Sequence, residues 1–224
     1  MIVLVHSGIC DARMWDGFDL PGAVRHELRG FGETPMPAAD SFSHAEDLIA
    51  ALDGPSALVG ASFGGFVCLE AASRRPDLVG ELVVLDAPLF DHDWSSEIEH
   101  FAEHEEELLE QGEFRAAALW NAEFWLEDPS HRDFVAEMQE RAFELQAESE
   151  AEEAGTDSID LAAIRARTLV AVGELDKADF HAIARRLAAG IPGAEHRVIE
   201  GAGHLPALER PHETARLVRD FLHI

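Results

Sequence analysis

Short apolar runs recur along the chain, with amphipathic stretches between them. Ile2-Val3-Leu4-Val5 opens the series. Ser56-Ala57-Leu58-Val59-Gly60, Leu82-Val83-Val84-Leu85-Asp86 and the run 168–173 follow, with weaker runs at 23–27 and 195–200. Continuous apolar runs of this kind predict strands buried on both faces. Helical spacing fills the gaps. It predicts helices over 43–52, capped by Ser41 or Ser43, and over 65–74, ending before Pro76. Two more follow, over 179–189 ahead of Gly190 and over 211–222 with Pro211 in its first turn. Strands alternating with helices imply an α/β fold. The expected architecture is a mostly parallel sheet of about six strands with helices on both faces and right-handed crossovers.

One segment breaks the alternation. Between Leu89 and Asp160 no strand-like run occurs, and Phe134, Met138, Phe143 and Leu145 recur at helical spacing. The chain therefore reads as a core formed by 1–88 and 161–224, interrupted by a helical insertion at 89–160. Within it, 148–160 has few large apolar residues and reads as a linker back to the core.

Charge changes the picture mainly by exclusion. The formal net charge is −27, and about −20 of it lies in the insertion. Such a run ordinarily marks a solvated helix face. Nucleic acids and anionic membranes are disfavoured as partners, because both need a basic surface. No apolar run approaches the ~20 residues of a membrane span. The run at 2–5 is too short for a signal peptide and has no basic residue before it, so a cytoplasmic location is expected. Two cysteines, Cys10 and Cys68, exclude a disulfide scaffold and disfavour thiolate metal binding; Cys68 reads as a small core residue. Lys177 is the single lysine. Self-repulsion at low salt is expected.

The strongest chemical signal is Gly60-Ala61-Ser62-Phe63-Gly64, a G-x-S-x-G pentapeptide directly after a buried strand and directly before a helix. A sharp turn there would lift the Ser62 hydroxyl to the carboxyl edge of the sheet. Serine needs a base. His204, in Gly201-Ala202-Gly203-His204, alone among the twelve histidines sits in a glycine loop after a late strand. His100 and His104 are four apart on a helix but lack the H-E-x-x-H pattern, so a metal site is not expected there. His44, His181 and His212 read as ordinary helix residues. The imidazole needs an acid to fix its tautomer. Asp176 fits, following the strand at 168–173; Asp86 is a rival, and Asp179 reads as a helix cap. The Phe63 amide is one expected oxyanion donor and Gly8 the other, with Ile9 as second choice.

These segments resemble the α/β-hydrolase superfamily, in its lid-bearing, serine esterase-like branch. His6-Ser7-Gly8 with Met14-Trp15 resembles the family's oxyanion loop, and Arg29-Gly30-Phe31-Gly32-Glu33-Thr34 its R-G-x-G-x-S/T segment. Leu58 to Gly65, Gly173 to Asp176 and Gly203-His204 resemble the nucleophile elbow, acid loop and histidine loop. Ser7 departs from the usual Gly and Glu27 from a common Asp. The amino-terminal antiparallel pair of the family is expected to be missing, and its first helix cut to 15–21; an uncovered edge strand invites pairing, so either a monomer or a homodimer fits.

The resemblance implies that 89–160 is a lid, with Phe114, Trp120, Phe124 and Trp125 as pocket candidates beside Ile9. The expected activity is hydrolysis of a small carboxylic ester through an acyl-enzyme, with a small-molecule substrate and neither metal nor organic cofactor. The same triad would also serve carbon–carbon or lactone hydrolysis, or a slow small-molecule receptor; a partner-binding module with an acidic lid is a further rival.

Overall fold

The computed structural model describes residues 1–155 and 158–224; Thr156 and Asp157, within the stretch read as a linker, lie outside the described residues. Six strands form one sheet: β1 (Ile2–Val5), β2 (Ala23–His26), β4 (Ser56–Ala61), β5 (Val79–Leu85), β7 (Arg167–Gly173) and β8 (Glu195–Ile199). Their order is β2-β1-β4-β5-β7-β8, and every neighbouring pair is parallel. Leu4, Val59, Val83 and Leu169 pack into a core on one face, and Val5, Leu58, Val84 and Val170 into a second core on the other. Burial on both faces is why these runs are continuously apolar rather than alternating.

The helices are α1 (His44–Ala50), α2 (Phe63–Arg74), α3 (Ser96–Glu110), α4 (Phe114–Trp125), α5 (Arg132–Ala147), α6 (Ala178–Gly190), α7 (Pro206–Glu209) and α8 (Pro211–Leu222). Ser43 is the cap of α1, its hydroxyl accepting from the Glu46 amide at 3.3 Å. Where a shortened helix is expected at 15–21, a single 3-10 turn lies at Ala12–Trp15. Helices α3, α4 and α5 are inserted between the neighbouring strands β5 and β7.

The segment 89–160 does contain a strand. Glu152–Glu153 (β6) pairs in parallel with Ser41–Phe42 (β3) as a separate two-stranded sheet. The pairing rests on backbone hydrogen bonds, Glu152 N to Asp40 O and Ala154 N to Phe42 O, and so leaves no apolar signature in the side chains.

The topology fixes where chemistry can occur. From β1 the chain runs outward to β2, then returns to β4 on the other side of β1. The loops after β1 and β4 therefore diverge at a switch point and leave a crevice at the carboxyl edge of the sheet. Residues 7–9 and Ser62 lie in those two loops.

Candidate active site

Ser62 stands between β4 and α2 with φ 49° and ψ −121°, a backbone region that side chains ordinarily avoid. Two things hold it there. The Ser62 amide donates to Leu85 O at 2.8 Å, and its carbonyl accepts from the Gly65 amide at 2.8 Å. The turn is also too tight for side chains on either flank: a Cβ on Gly60 would collide with the backbone of Gly64, and one on Gly64 with the carbonyls of Val5 and His6. The Ser62 hydroxyl does not cap α2, which leaves it for another partner.

That partner is His204. Its Nε2 lies 2.9 Å from Ser62 Oγ, and its Nδ1 lies 2.9 Å from Asp176 Oδ2. The network assigns the tautomer: Nδ1–H donates to the carboxylate, and Nε2 accepts from the serine hydroxyl. A serine hydroxyl, an imidazole and a buried carboxylate linked in this order can move a proton off the hydroxyl as it attacks a carbonyl. His204 is buried between the rings of Trp125 and Phe180, with centroids 4.4 and 4.3 Å away. Its loop is pinned by Glu209, whose Oε2 accepts from the Gly203 amide at 2.5 Å. Glu209 Oε1 accepts from the amides of Glu127 and Asp128 at 2.7 and 3.1 Å, so the same carboxylate ties the histidine loop to the inserted helices.

Asp176 is nearly buried, and its Oδ1 accepts from the Lys177 amide at 2.7 Å. Burial pushes its carboxyl upward. The charge of His204 and the hydrogen bonds from His204, Asp86 and the Lys177 amide outweigh that and hold it below the usual carboxylate range. Asp86 is the neighbouring carboxyl, at the end of β5 with φ 51°. Its Oδ1 accepts from the Gly173 amide at 2.7 Å, and its Oδ2 meets no donor. Burial first, then the charge of Asp176, push it well above the carboxylate range. Their surroundings thus push the two carboxyls in opposite directions, and Asp176 is the one that reaches the imidazole. Asp179 is not a cap of its own helix, which Lys177 precedes. Its carboxylate accepts from the Ser95 amide and hydroxyl at 3.0 and 2.7 Å, and so anchors the start of α3.

Gly8 and Phe63 are adjacent: a Cβ on Gly8 would lie 3.2 Å from that of Phe63. Neither amide donates to any acceptor among the described residues. The Ile9 amide is drawn to Ser7 Oγ at 3.4 Å, a use the family's usual glycine at that position could not provide. With its carboxamide oriented to satisfy both atoms, Gln139 of α5 donates to the carbonyls of Gly8 and Ile9 at 2.9 and 3.3 Å. Glu27 Oε1 accepts from the Ala12 amide at 2.8 Å and steadies the far side of the same loop.

Ser62, His204, Gly8, Phe63, Ile9 and Trp125 all line one cavity of about 430 Å³ with walls that are mostly apolar. Trp120 and Phe124 do not line it. They pack about Phe101, with Phe124 stacked at 4.2 Å and Trp120 Nε1 donating to the Phe101 carbonyl at 3.2 Å. Phe114 lies instead beside Phe143. Sequence reading misses Phe180, Trp94 and Gln139 as lining residues. Only the docking of the inserted helices decides which of their faces turns toward the cavity.

Among the described residues, no other histidine lines this cavity. His44 is buried among Phe42, Phe31 and Phe63, His104 lies against Trp120, and His212 is exposed. Cys10 and Cys68 are free and fully buried, and burial pushes both thiols upward. Among the described residues, the one cluster of three metal-capable groups is Asp86, Asp176 and His204, and hydrogen bonds already engage both ring nitrogens of the histidine. No helix among the described residues is long and apolar enough to cross a membrane.

The chain is 34% identical over 95 residues to lipase LipV of Mycobacterium tuberculosis, a match covering 38% of this chain and 36% of the lipase. It spans about a third or less of the length of the curated relatives it matches. The enol-lactonase from Burkholderia xenovorans LB400 superposes with a TM-score of 0.78 at 21% identity, covering 100% of this chain and 91% of that one. A thermophilic esterase from Thermogutta terrifontis gives 0.76 at 25% identity, covering 99% and 89%. The family model described as "Alpha/beta hydrolase family" matches residues 2–217, and the chain belongs to that family.

Proposed function

We propose that this protein is a serine hydrolase acting on small carboxylic esters, with Ser62 as nucleophile, His204 as general base and acid, and Asp176 as the orienting carboxylate. One observation carries the reading: the unbroken line from Asp176 through His204 to Ser62, with 2.9 Å at each step, at the strained turn that opens onto the cavity. In the first step Ser62 Oγ attacks the ester carbonyl and its proton passes to His204 Nε2. The oxyanion forms against the unpaired amides of Phe63 and Gly8. The imidazolium then protonates the departing alcohol, leaving an acyl-serine. Water enters, gives its proton to His204, and releases the acid as that proton returns to Ser62. The inserted helices act as a lid that supplies Trp125 and the apolar walls, and they exclude bulk water from the acyl-enzyme.

A lactone is a cyclic ester and passes through the same steps with its alcohol still tethered. Chromogenic short-chain esters and simple lactones, assayed side by side, separate the two substrate classes. Turnover is expected together with stoichiometric labelling by a fluorophosphonate. Ser62→Ala and His204→Ala should each lower kcat by several orders of magnitude. Unchanged turnover in either variant would falsify the assignment, and labelling without turnover of any ester would favour a non-catalytic receptor.

A further inference from the structure

The cavity that holds Ser62 and His204 contains a carboxyl group whose hydrogen bonding is incomplete. Apart from the serine and histidine, its polar lining side chains are Ser7, Glu105, Asn121 and Gln139. Ser7 and Gln139 are spent on the backbone of the 7–9 loop. Asn121, fully buried on α4, donates from Nδ2 to the Ala117 carbonyl at 3.0 Å and to Glu105 Oε1 at 2.5 Å. Glu105 Oε2 has no hydrogen-bond partner among the described residues. Burial pushes this carboxyl upward, and the bond from Asn121 works against that shift.

Glu105 lines the cavity and is partly exposed, so its second oxygen stands free to accept from a molecule that enters. A few oriented polar groups in an apolar cavity are what give such sites their selectivity. Its place relative to the reaction centre follows from α4. Trp125 covers the His204 ring, and Asn121 precedes Trp125 by four residues, one helical turn or about 5–6 Å along the axis. The Glu105–Asn121 pair therefore faces the cavity one turn away from the ring that covers the imidazole.

We propose that Glu105, held by Asn121, is a specificity-determining residue that accepts a hydrogen bond from a hydroxyl or ammonium group carried by the substrate several atoms from its ester carbonyl. This rests on the ester-hydrolase reading above. The preferred substrate is thus an ester with a polar, donor-bearing end, rather than a plain alkyl ester.

The test uses matched pairs of similar length. Methyl 6-hydroxyhexanoate and methyl 6-aminohexanoate are compared with methyl heptanoate, which places the donor on the acyl side. 4-Hydroxybutyl acetate is compared with pentyl acetate, which places it on the alcohol side. The protein should favour the donor-bearing member of at least one pair by about tenfold or more in kcat/KM, since leaving a polar site group unmatched costs discrimination. Glu105→Leu should reverse that order. Glu105→Gln keeps the shape; its one oxygen takes the Asn121 bond and its NH2 can donate to a hydroxyl oxygen, so it should retain the hydroxyl preference and lose any ammonium preference. A purely structural glutamate predicts that both members of every pair fall together in Glu105→Leu with their ratio intact, and that result overturns the proposal. So does equal turnover of all pairs by the unaltered protein. Absence of turnover on methyl heptanoate and pentyl acetate as well as on their donor-bearing partners counts against the hydrolase reading itself and takes this inference with it.

Discussion

Asp86 and Asp176 are two buried carboxyls that each bring an oxygen within 4.8 Å of the other and of a His204 ring nitrogen, and only Asp176 is hydrogen-bonded to the imidazole. Their environments push them in opposite directions, Asp86 upward and Asp176 downward. The pair makes the two aspartates separable by isosteric substitution. Asp176→Asn should lower kcat by about 10³–10⁴-fold, because the amide favours the wrong imidazole tautomer. In Asp86→Asn the new carboxamide can still accept from the Gly173 amide, so kcat should fall by less than about tenfold. Steady-state kinetics on one chromogenic ester decides it, and the reverse ranking would make Asp86 the working acid.

The strained backbone of Ser62 predicts a stability effect opposite to its effect on activity. Glycine adopts φ 49°, ψ −121° far more readily than alanine does. Ser62→Gly should therefore be more stable than Ser62→Ala by about 1 kcal/mol, within the usual cost of such strain, while both are inactive. Urea denaturation of the two variants measures the difference. Equal midpoints would mean that the turn carries no strain at this residue.

Glu209 offers a way to loosen the histidine loop without touching the triad. Its carboxylate accepts three backbone amides, from Gly203, Glu127 and Asp128. Glu209→Ala leaves all three without their acceptor and should cost about 2–4 kcal/mol of stability. Glu209→Gln, with one accepting oxygen, should fall between. Thermal melts give the stability, and kcat should drop in step as His204 loses its fixed position.

How much of this was legible beforehand depends on how local each signal is. Ser62, Asp176 and His204 sit in tight turns at strand ends, where glycine placement and an adjacent apolar run mark the site in the sequence. The sequence favours Asp176 but leaves Asp86 as its rival, because the final choice rests on which carboxyl the imidazole meets. Trp120 and Phe124 were read as pocket residues because aromatics on inserted helices favour that role. They lie instead around Phe101, since the rotation of α4 is set by how it docks. Glu209, Gln139 and β6 were invisible for one reason: their partners are backbone groups remote in sequence.

His44 predicts an acid-sensitive contribution to stability. Its ring is buried beside Phe42, Phe31 and Phe63, and its Nδ1 has no partner. Burial first, then the neighbouring His6, holds its pKa down at about 4 against an ordinary 6.5; His26 and Arg29 act in the same sense and Asp47 against it. The unfolded chain therefore binds the proton more readily, so stability falls as pH drops from about 6.5 toward 4 and levels off below. The full loss is about 3 kcal/mol. His44→Phe should flatten that part of the profile, and identical slopes between pH 6.5 and 4 in the two proteins would contradict it.

Lys177 joins the acid loop to the inserted helices: its ammonium lies 3.2 Å from Glu97 and 4.3 Å from the centre of the Phe124 ring. It is also the sole lysine in the sequence. Amine-directed conjugation can thus reach one side chain only, which stands immediately after Asp176. A dye or immobilising resin coupled through that amine would sit beside Asp176, between the acid loop and the inserted helices.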